Sequence, residues 1–226
     1  MQLRPLENRS PNPKFAIRFL GIELEIRGAV LRPRKETELL ARMAQDLLDE
    51  FTVAPVCVDM CCGSGNLALA LATHSADARV MACDLTSDAV RTTRHNVSQL
   101  GFKERIVVMQ GDLFQPLAGF EGTVDLVVSN PPYISTSRLI SGDRSHLLIR
   151  EPREAFDGGP YGVTLHTRLI NEGARYLKSG GWLAFEFGLG QDRQVAALLK
   201  RSRAFEAPRW HTNGAGENRV VCARRK

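Results

Sequence analysis

The sequence predicts an α/β fold: a mostly parallel sheet of seven strands with helices on both faces, preceded by a short hairpin and helix. Three observations predict it. From residue 55 onward, strand-like apolar runs alternate with helical ones, the pattern of parallel sheets joined by helical crossovers. One of these strands runs directly into the turn Cys61-Cys62-Gly63-Ser64-Gly65 and a helix start. Two more end in chemistry-bearing residues, Asp84 and Asn130, as expected where ligands meet the carboxyl ends of such a sheet.

The elements follow in order. Residues 1–14 carry Pro5, Pro11 and Pro13 among polar groups with no apolar period, which predicts a mobile basic arm. A segment 15–54 comes next. Its first part, 15–30, alternates around Gly21 as a hairpin does. After Pro33, a helix is predicted by Leu39, Leu40, Met43, Leu47, Leu48 and Phe51 at three- and four-residue steps, with Glu36 and Glu38 near its positive end. The main domain spans 55–226. Strands are expected at 56–59, 79–84, 106–110, 124–129 and 182–187, with two more near Arg209 and at 219–223. Helices are expected at 66–73, 87–100, 164–177 and 191–201. The irregular stretch 130–162 is long enough to predict a functional loop.

Composition narrows the function classes. A hydrophobic fraction of 43% and a charged fraction of 24% exclude a disordered, collagen-like or disulfide-scaffold chain. The longest apolar runs, such as 67–72, fall far below the ~18 residues of a membrane span, and no apolar signal core follows Met1, so a cytoplasmic location is expected. The five cysteines are odd in number and lack paired metal-ligand spacing. They read as small buried hydrophobes, with no metal site. Residues 1–35 hold eight Lys/Arg against three Glu, the whole net charge of +5; such a leader can attract an anionic partner or simply be solvated.

The glycine turn is the first site. Gly63 and Gly65 let a ligand approach the backbone, Ser64 lies between them, and the helix start offers N–H groups to an anion. Gly63-x-Gly65-x-x-Ala68 also fits a dinucleotide fingerprint. Asp59 argues against it. A carboxylate there repels a pyrophosphate but suits the ammonium and sulfonium of S-adenosylmethionine. Asp84, nineteen residues beyond Gly65, is placed for both ribose hydroxyls, with a helix cap as the alternative. Asp112 is a candidate for the adenine amine or for a simple turn, and Leu113 for the ring face.

The second site is Asn130-Pro131-Pro132-Tyr133. Paired prolines stiffen the chain as it leaves the fourth strand. The Asn130 side-chain carbonyl and the Pro131 main-chain carbonyl are expected to converge on the two hydrogens of a planar NH₂ group. Its lone pair would then face the methyl donor, and Tyr133 would pack on the flat face of the substrate.

These residues resemble the class I S-adenosylmethionine-dependent methyltransferases, and within them the HemK-like protein-(glutamine-N(5)) methyltransferases, which act on translation release factors. The resemblance covers roughly residues 20–226. It rests on Leu31-Arg32-Pro33-Arg34-Lys35-Glu36-Thr37-Glu38, the turn at 61–65, Asp84, Asn130 to Tyr133, Glu151-Pro152-Arg153-Glu154-Ala155-Phe156-Asp157-Gly158-Gly159 and Gly216-Glu217-Asn218-Arg219-Val220. It implies the Rossmann-like fold of that class. It also implies that Cys61, Cys62, Gly63, Ser64, Gly65, Asp84, Leu113 and Asn130 contact the cofactor, while Asn130, Pro131, Pro132 and Tyr133 receive the amide. Three departures fall on substrate-facing parts: few residues precede the hairpin where the family has a helical domain, Lys35 stands for a proline, and Tyr161 stands for an aspartate.

The leading expectation is therefore N-methylation of a planar amide or amine, with a protein glutamine as the implied substrate. A small metabolite is the alternative acceptor. A nucleic-acid base amine is disfavoured by an aromatic content of 7% and by balanced charge beyond residue 35. An idle binding subunit is the remaining class, and measurable methyl transfer would eliminate it.

Overall fold

The computed structural model describes residues 15–140, 144, 147–148 and 151–226; the expected arm at 1–14 lies outside them. Strands β1 (Phe15–Phe19) and β2 (Ile22–Ile26) pair antiparallel through a two-residue turn. Its central residues, Leu20 and Gly21, both have positive φ, 47° and 82°, which matches the twist of the flanking strands. Helix α1 (Thr37–Leu48) follows, and its stripe of Leu40, Ala41, Ala44, Leu47 and Leu48 is buried.

The main sheet is built from β3 (Val56–Met60), β4 (Arg79–Asp84), β5 (Ile106–Gln110), β6 (Val124–Ser129), β7 (Leu177–Glu186), β8 (Arg209–Thr212) and β9 (Asn218–Arg224). Its order is β5-β4-β3-β6-β7-β9-β8. The five strands from β5 to β7 run parallel, and β9 lies antiparallel between β7 and β8. The crossovers carry α2 (Asn66–His74), α3 (Ser87–Gln99), the short α4 (Thr136–Ile140), α5 (Thr164–Tyr176) and α6 (Asp192–Ser202).

Side-chain alternation along the strands sorts the core onto two faces. Cys57 and Leu126 pack with α1, α2 and the hairpin residues Phe19 and Leu24. Val58 and Val127 pack on the other face with Leu169, Val195 and Leu199 of α5 and α6. The hairpin and α1 thus share one core with the sheet. Chain order reverses between β3 and β6, so the loops leaving them splay apart and open a crevice at their carboxyl ends.

Several element ends shift by one residue from expectation, and two differences are larger. β7 begins at Leu177, five residues before Trp182, because Lys178 to Gly181 form a bulge: Val124 pairs with Leu177, but Leu126 already pairs with Trp182. Gly180 supplies the positive φ of 81° that this bulge requires. The irregular stretch 130–162 also contains α4 and a single helical turn at Arg153–Ala155.

Leu126, at the centre of the sheet, has no exposed surface. Leu126→Ala is expected to lower stability by about 2–5 kcal/mol in denaturant unfolding, through lost burial and the cavity left behind.

Candidate active site

The turn from β3 into α2 is shaped by backbone geometry. Cys61, Gly63 and Gly65 all have positive φ, 61°, 56° and 79°, and Gly65 is the N-cap of α2. A Cβ on Gly65 would stand 2.8 Å from Thr93 Cγ2, whereas a Cβ on Gly63 would meet nothing within 4 Å. Gly63 therefore faces open space. Cys61 holds a left-handed conformation as a non-glycine, at a cost of roughly 1–2 kcal/mol.

Asp84 secures this turn from the neighbouring strand. Its Oδ2 accepts from Gly63 N–H at 3.0 Å, and its Oδ1 accepts from the Thr86 N–H and hydroxyl at 2.9 and 3.1 Å. The cap of α3 is Thr86 itself, which accepts from Ala89 N–H. Of about four lone-pair sites on the carboxylate, three are used. Asp84 as placed can take one ribose hydroxyl; accepting both requires release of the Thr86 hydroxyl.

Asp59 does not stand where the sequence suggested. It is 1% exposed beneath the turn, and its Oδ2 accepts from Ala68 N–H at 2.9 Å, so it tethers the first turn of α2 instead of forming the cleft wall. Alternation along β3 puts Asp59 on the α2 side with Cys57, a face that spacing to the glycines does not disclose. Its Oδ1 is buried without a partner. Burial pushes its carboxyl up to about 8 against the pull of the Ala68 bond, with Asp84 adding to the rise.

The cleft at these strand ends encloses about 950 Å³ including its open mouth. Cys61, Cys62, Gly63, Ser64, Asp84, Asp112, Leu113, Asn130 and Pro132 all line it. Burial raises the thiols of Cys61 and Cys62 and pushes Cys83 up to about 12, so they stay protonated at neutral pH. Leu113 is buried with φ 47°, while both oxygens of Asp112 accept from Arg168 Nη1 at 2.9 and 3.0 Å. Opposite the glycine turn runs a strap, residues 29–37, of which Ala29, Val30, Leu31, Pro33, Arg34 and Thr37 face the cleft. Glu151 pins it, accepting from Arg32 N–H at 2.8 Å and from Arg34 Nη2 at 2.5 Å.

Of the tetrapeptide, Asn130 and Pro132 reach the wall; Pro131 and Tyr133 stand behind it. Asn130 Nδ2 donates to Thr37 Oγ1 at 3.0 Å, and the Thr37 hydroxyl donates to Glu186 Oε2 at 2.8 Å. The Tyr133 hydroxyl is turned inward to donate to Glu186 Oε1 at 3.0 Å, and Arg219 Nη2 donates to that same Oε1 and to the tyrosine oxygen. Tyr133 is thus a brace of the loop, and its ring does not line this cleft. The reason is that a buried carboxylate at the end of β7 needs donors, and the phenol is one of them. Burial and the Glu186 charge hold that phenol well above its ordinary value.

Thr37 and Glu186 had no assigned role from sequence. Glu186 did carry a signal: a carboxylate inside the apolar run Trp182-Leu183-Ala184-Phe185-Glu186-Phe187 is costly to bury without a purpose. Burial raises its carboxyl above the usual range, and Thr37, Arg219 and Tyr133 draw it back. His166 of α5 is fully buried, lowered to about 4 by burial and hence neutral, with Nε2 3.1 Å from the Glu186 main-chain oxygen. Among the described residues no group of His, Cys, Asp and Glu is arranged to hold a metal ion, and no helix is long and apolar enough to cross a membrane.

A glycine turn with open space above it and a carboxylate at the tip of the second parallel strand, both on one cleft, fit a nucleoside cofactor. Comparison with known proteins agrees. The Methyltransferase small domain family matches residues 37–160. The release factor glutamine methyltransferase of Moorella thermoacetica is 34% identical over 213 residues, 92% of this chain and 72% of that protein. That of Synechocystis sp. is 36% identical over 204 residues, 89% and 68% of the respective chains. Among solved structures, the T. thermophilus 16S rRNA N2 G1207 methyltransferase in complex with AdoMet and guanosine superposes with a TM-score of 0.69 at 20% identity, covering 99% of this chain and 52% of that one. The ribosomal protein L11 methylase of Lactobacillus delbrueckii subsp. bulgaricus gives 0.63 at 18% identity, covering 89% and 85%. At these identities the two structures establish the shared fold.

Fold and family together define an S-adenosylmethionine-dependent methyltransferase. Within that class, the chain belongs to the release factor glutamine methyltransferase family.

Asp59 carries a pH signature. A carboxyl near 8 when folded, against an ordinary 3.8, holds its proton more tightly in the folded chain, so stability present at low pH is lost as pH rises between those values. Denaturant unfolding of the ligand-free protein at pH 5 and pH 8 is expected to show a smaller loss in Asp59→Asn than in the wild type. Equal losses would mean that Asp59 is ionised throughout.

Proposed function

We propose that this enzyme transfers a methyl group from S-adenosylmethionine to the side-chain amide nitrogen of a glutamine in a protein such as a translation release factor. The acceptor named for the Moorella and Synechocystis relatives supports that class of substrate. The single observation that carries the reading is Asn130. Its amide nitrogen is engaged by Thr37, and its Oδ1 accepts no hydrogen bond among the described residues while the residue lines the same cleft as the glycine turn.

The bound cofactor supplies a methyl group on a positively charged sulfur, an electrophile for a nitrogen lone pair. In this proposal Cys61, Cys62, Gly63, Ser64 and Gly65 hold its amino-acid end at the start of α2, Asp84 accepts a ribose hydroxyl, and Leu113 and Asp112 form the wall beside the base. Asp59 acts from below, by fixing α2. Asn130 accepts one amide hydrogen of the glutamine, which fixes the direction of the nitrogen lone pair. Pro131 and Pro132 fix the exit of the chain from β6 and so the position of Asn130; Tyr133 anchors the same loop to Glu186. Orientation and a fixed dipole carry the catalysis, and the surplus proton passes to water after transfer. Residues 15–54 contribute the strap and Thr37 to the site, and 55–226 the catalytic sheet.

Incubation with methyl-labelled S-adenosylmethionine and a recombinant release factor, followed by peptide mass spectrometry, should place one methyl group on a glutamine side chain. Label confined to a protein-free metabolite pool, or to nucleic acid, would overturn the proposed acceptor. Asn130→Ala is expected to lower kcat at least 100-fold with little change in cofactor Kd, the size seen when one positioned hydrogen-bonding group is lost. Asp84→Ala should show the reverse emphasis, with cofactor affinity by calorimetry as the main loss.

A further inference from the structure

Every donor and acceptor behind Asn130 has a forced direction. A carboxylate accepts only. With Thr37 Oγ1 at 2.8 Å from Glu186 Oε2, the threonine hydrogen must point at Glu186, and the threonine oxygen can then offer only a lone pair in its other directions. The Asn130 atom 3.0 Å from that oxygen must therefore be the donor Nδ2, which leaves Oδ1 as the atom available to a substrate. The charge on Glu186 is what sets this polarity. It is maintained by Arg219 Nη2 at 3.3 Å and the Tyr133 hydroxyl at 3.0 Å on Oε1, while neutral His166 meets only the main-chain oxygen.

We propose that Glu186 and Thr37 are positioning residues that lock the Asn130 amide with its carbonyl toward the acceptor glutamine, so that Asn130 recognises an NH₂ group and rejects a carboxylate or carbonyl at the same place. This rests on the glutamine reading above and deepens it. The relay explains why a 1% exposed glutamate is present at all: an apolar residue at position 186 would leave Thr37 free to donate to Asn130 Oδ1 and turn Nδ2 outward. It also gives the strap a second role, since Thr37 ends the segment that lines the cleft.

Glu186→Gln tests the polarity with almost no change in shape. If its oxygen faces the two donors, Arg219 and Tyr133, its NH₂ group faces Thr37, reverses the threonine hydroxyl and flips Asn130. If its oxygen faces Thr37 instead, its NH₂ group opposes the Arg219 guanidinium. The first arrangement, which keeps both Arg219 and Tyr133 bonded, is the one expected, and it lowers kcat toward a glutamine acceptor on the order of 100-fold, with cofactor Kd unchanged. Thr37→Val should do the same, and Thr37→Ser should restore most of the rate. An unchanged cofactor Kd reports a folded cleft in each variant.

A second readout does not depend on the acceptor. Hydrogen exchange of the Asn130 side-chain NH₂ protons, followed by NMR, should be slow in the wild type and in Thr37→Ser, and fast in Thr37→Val and Glu186→Gln. Full activity in Thr37→Val and Glu186→Gln, or equal exchange in all four proteins, would overturn the positioning role. If the wild type transfers no methyl group to glutamine, the proposed acceptor fails while the exchange measurement still decides the orientation of Asn130.

Discussion

A carboxylate removed from water must be met by donors or it will take up a proton, and in this enzyme one such carboxylate, Glu186, organises the ground beneath the active site. Its donors come from four places in the chain: Thr37 at the start of α1, Tyr133 in the loop after β6, Arg219 at the start of β9, and His166 of α5 on the main-chain oxygen. Each of those elements is fixed in the sheet by ordinary burial. The polar junction decides how they are turned relative to one another. Breaking one member strands the others in a site with little water to replace it, which makes the junction a source of specificity more than of net stability.

A second polar junction works at the mouth of the cleft. The strap crosses from Gly28 to Thr37 and is held by carboxylates along its length: Asp88 accepts from Ala29 N–H at 2.8 Å, and Glu151 takes the Arg32 N–H and the Arg34 side chain. A Cβ on Gly28 would lie 2.7 Å from Asp88 Oδ2, so glycine is needed for that approach. The glycine turn is tied in turn to Asp84 and Asp59. The cofactor cleft is therefore lined by backbone whose amides are fixed by carboxylates, an arrangement suited to a ligand that brings both positive charge and hydroxyl donors.

Much of this was legible in the sequence because burial leaves a periodic trace. β4, β5 and β6 have the predicted bounds, since parallel strands covered on both faces read as unbroken apolar runs. Glycines at positive φ likewise announced the turn. What the sequence hid was direction. Asp59 and Asp84 are both acids at strand ends, yet one points under α2 and the other toward the cleft, a difference set by which face of the sheet each side chain leaves. The direction of the Tyr133 hydroxyl was hidden for a similar reason: the buried acceptor that takes it, Glu186, lies fifty-three residues later. Thr37 and Arg219 lay within segments singled out by resemblance, but only tertiary contact shows that they meet at one carboxylate.

The central claim is that the cleft presents an amide acceptor with the Asn130 carbonyl while the cofactor rests against the glycine turn. It is tested most directly by a structure of the enzyme with S-adenosylhomocysteine and a release-factor peptide bound together. The account predicts the glutamine side-chain nitrogen within hydrogen-bonding distance of Asn130 Oδ1, with Thr37 and Glu186 still joined behind it. A peptide amide seated elsewhere, or an Asn130 side chain that has left Thr37 to bind it, would contradict the account.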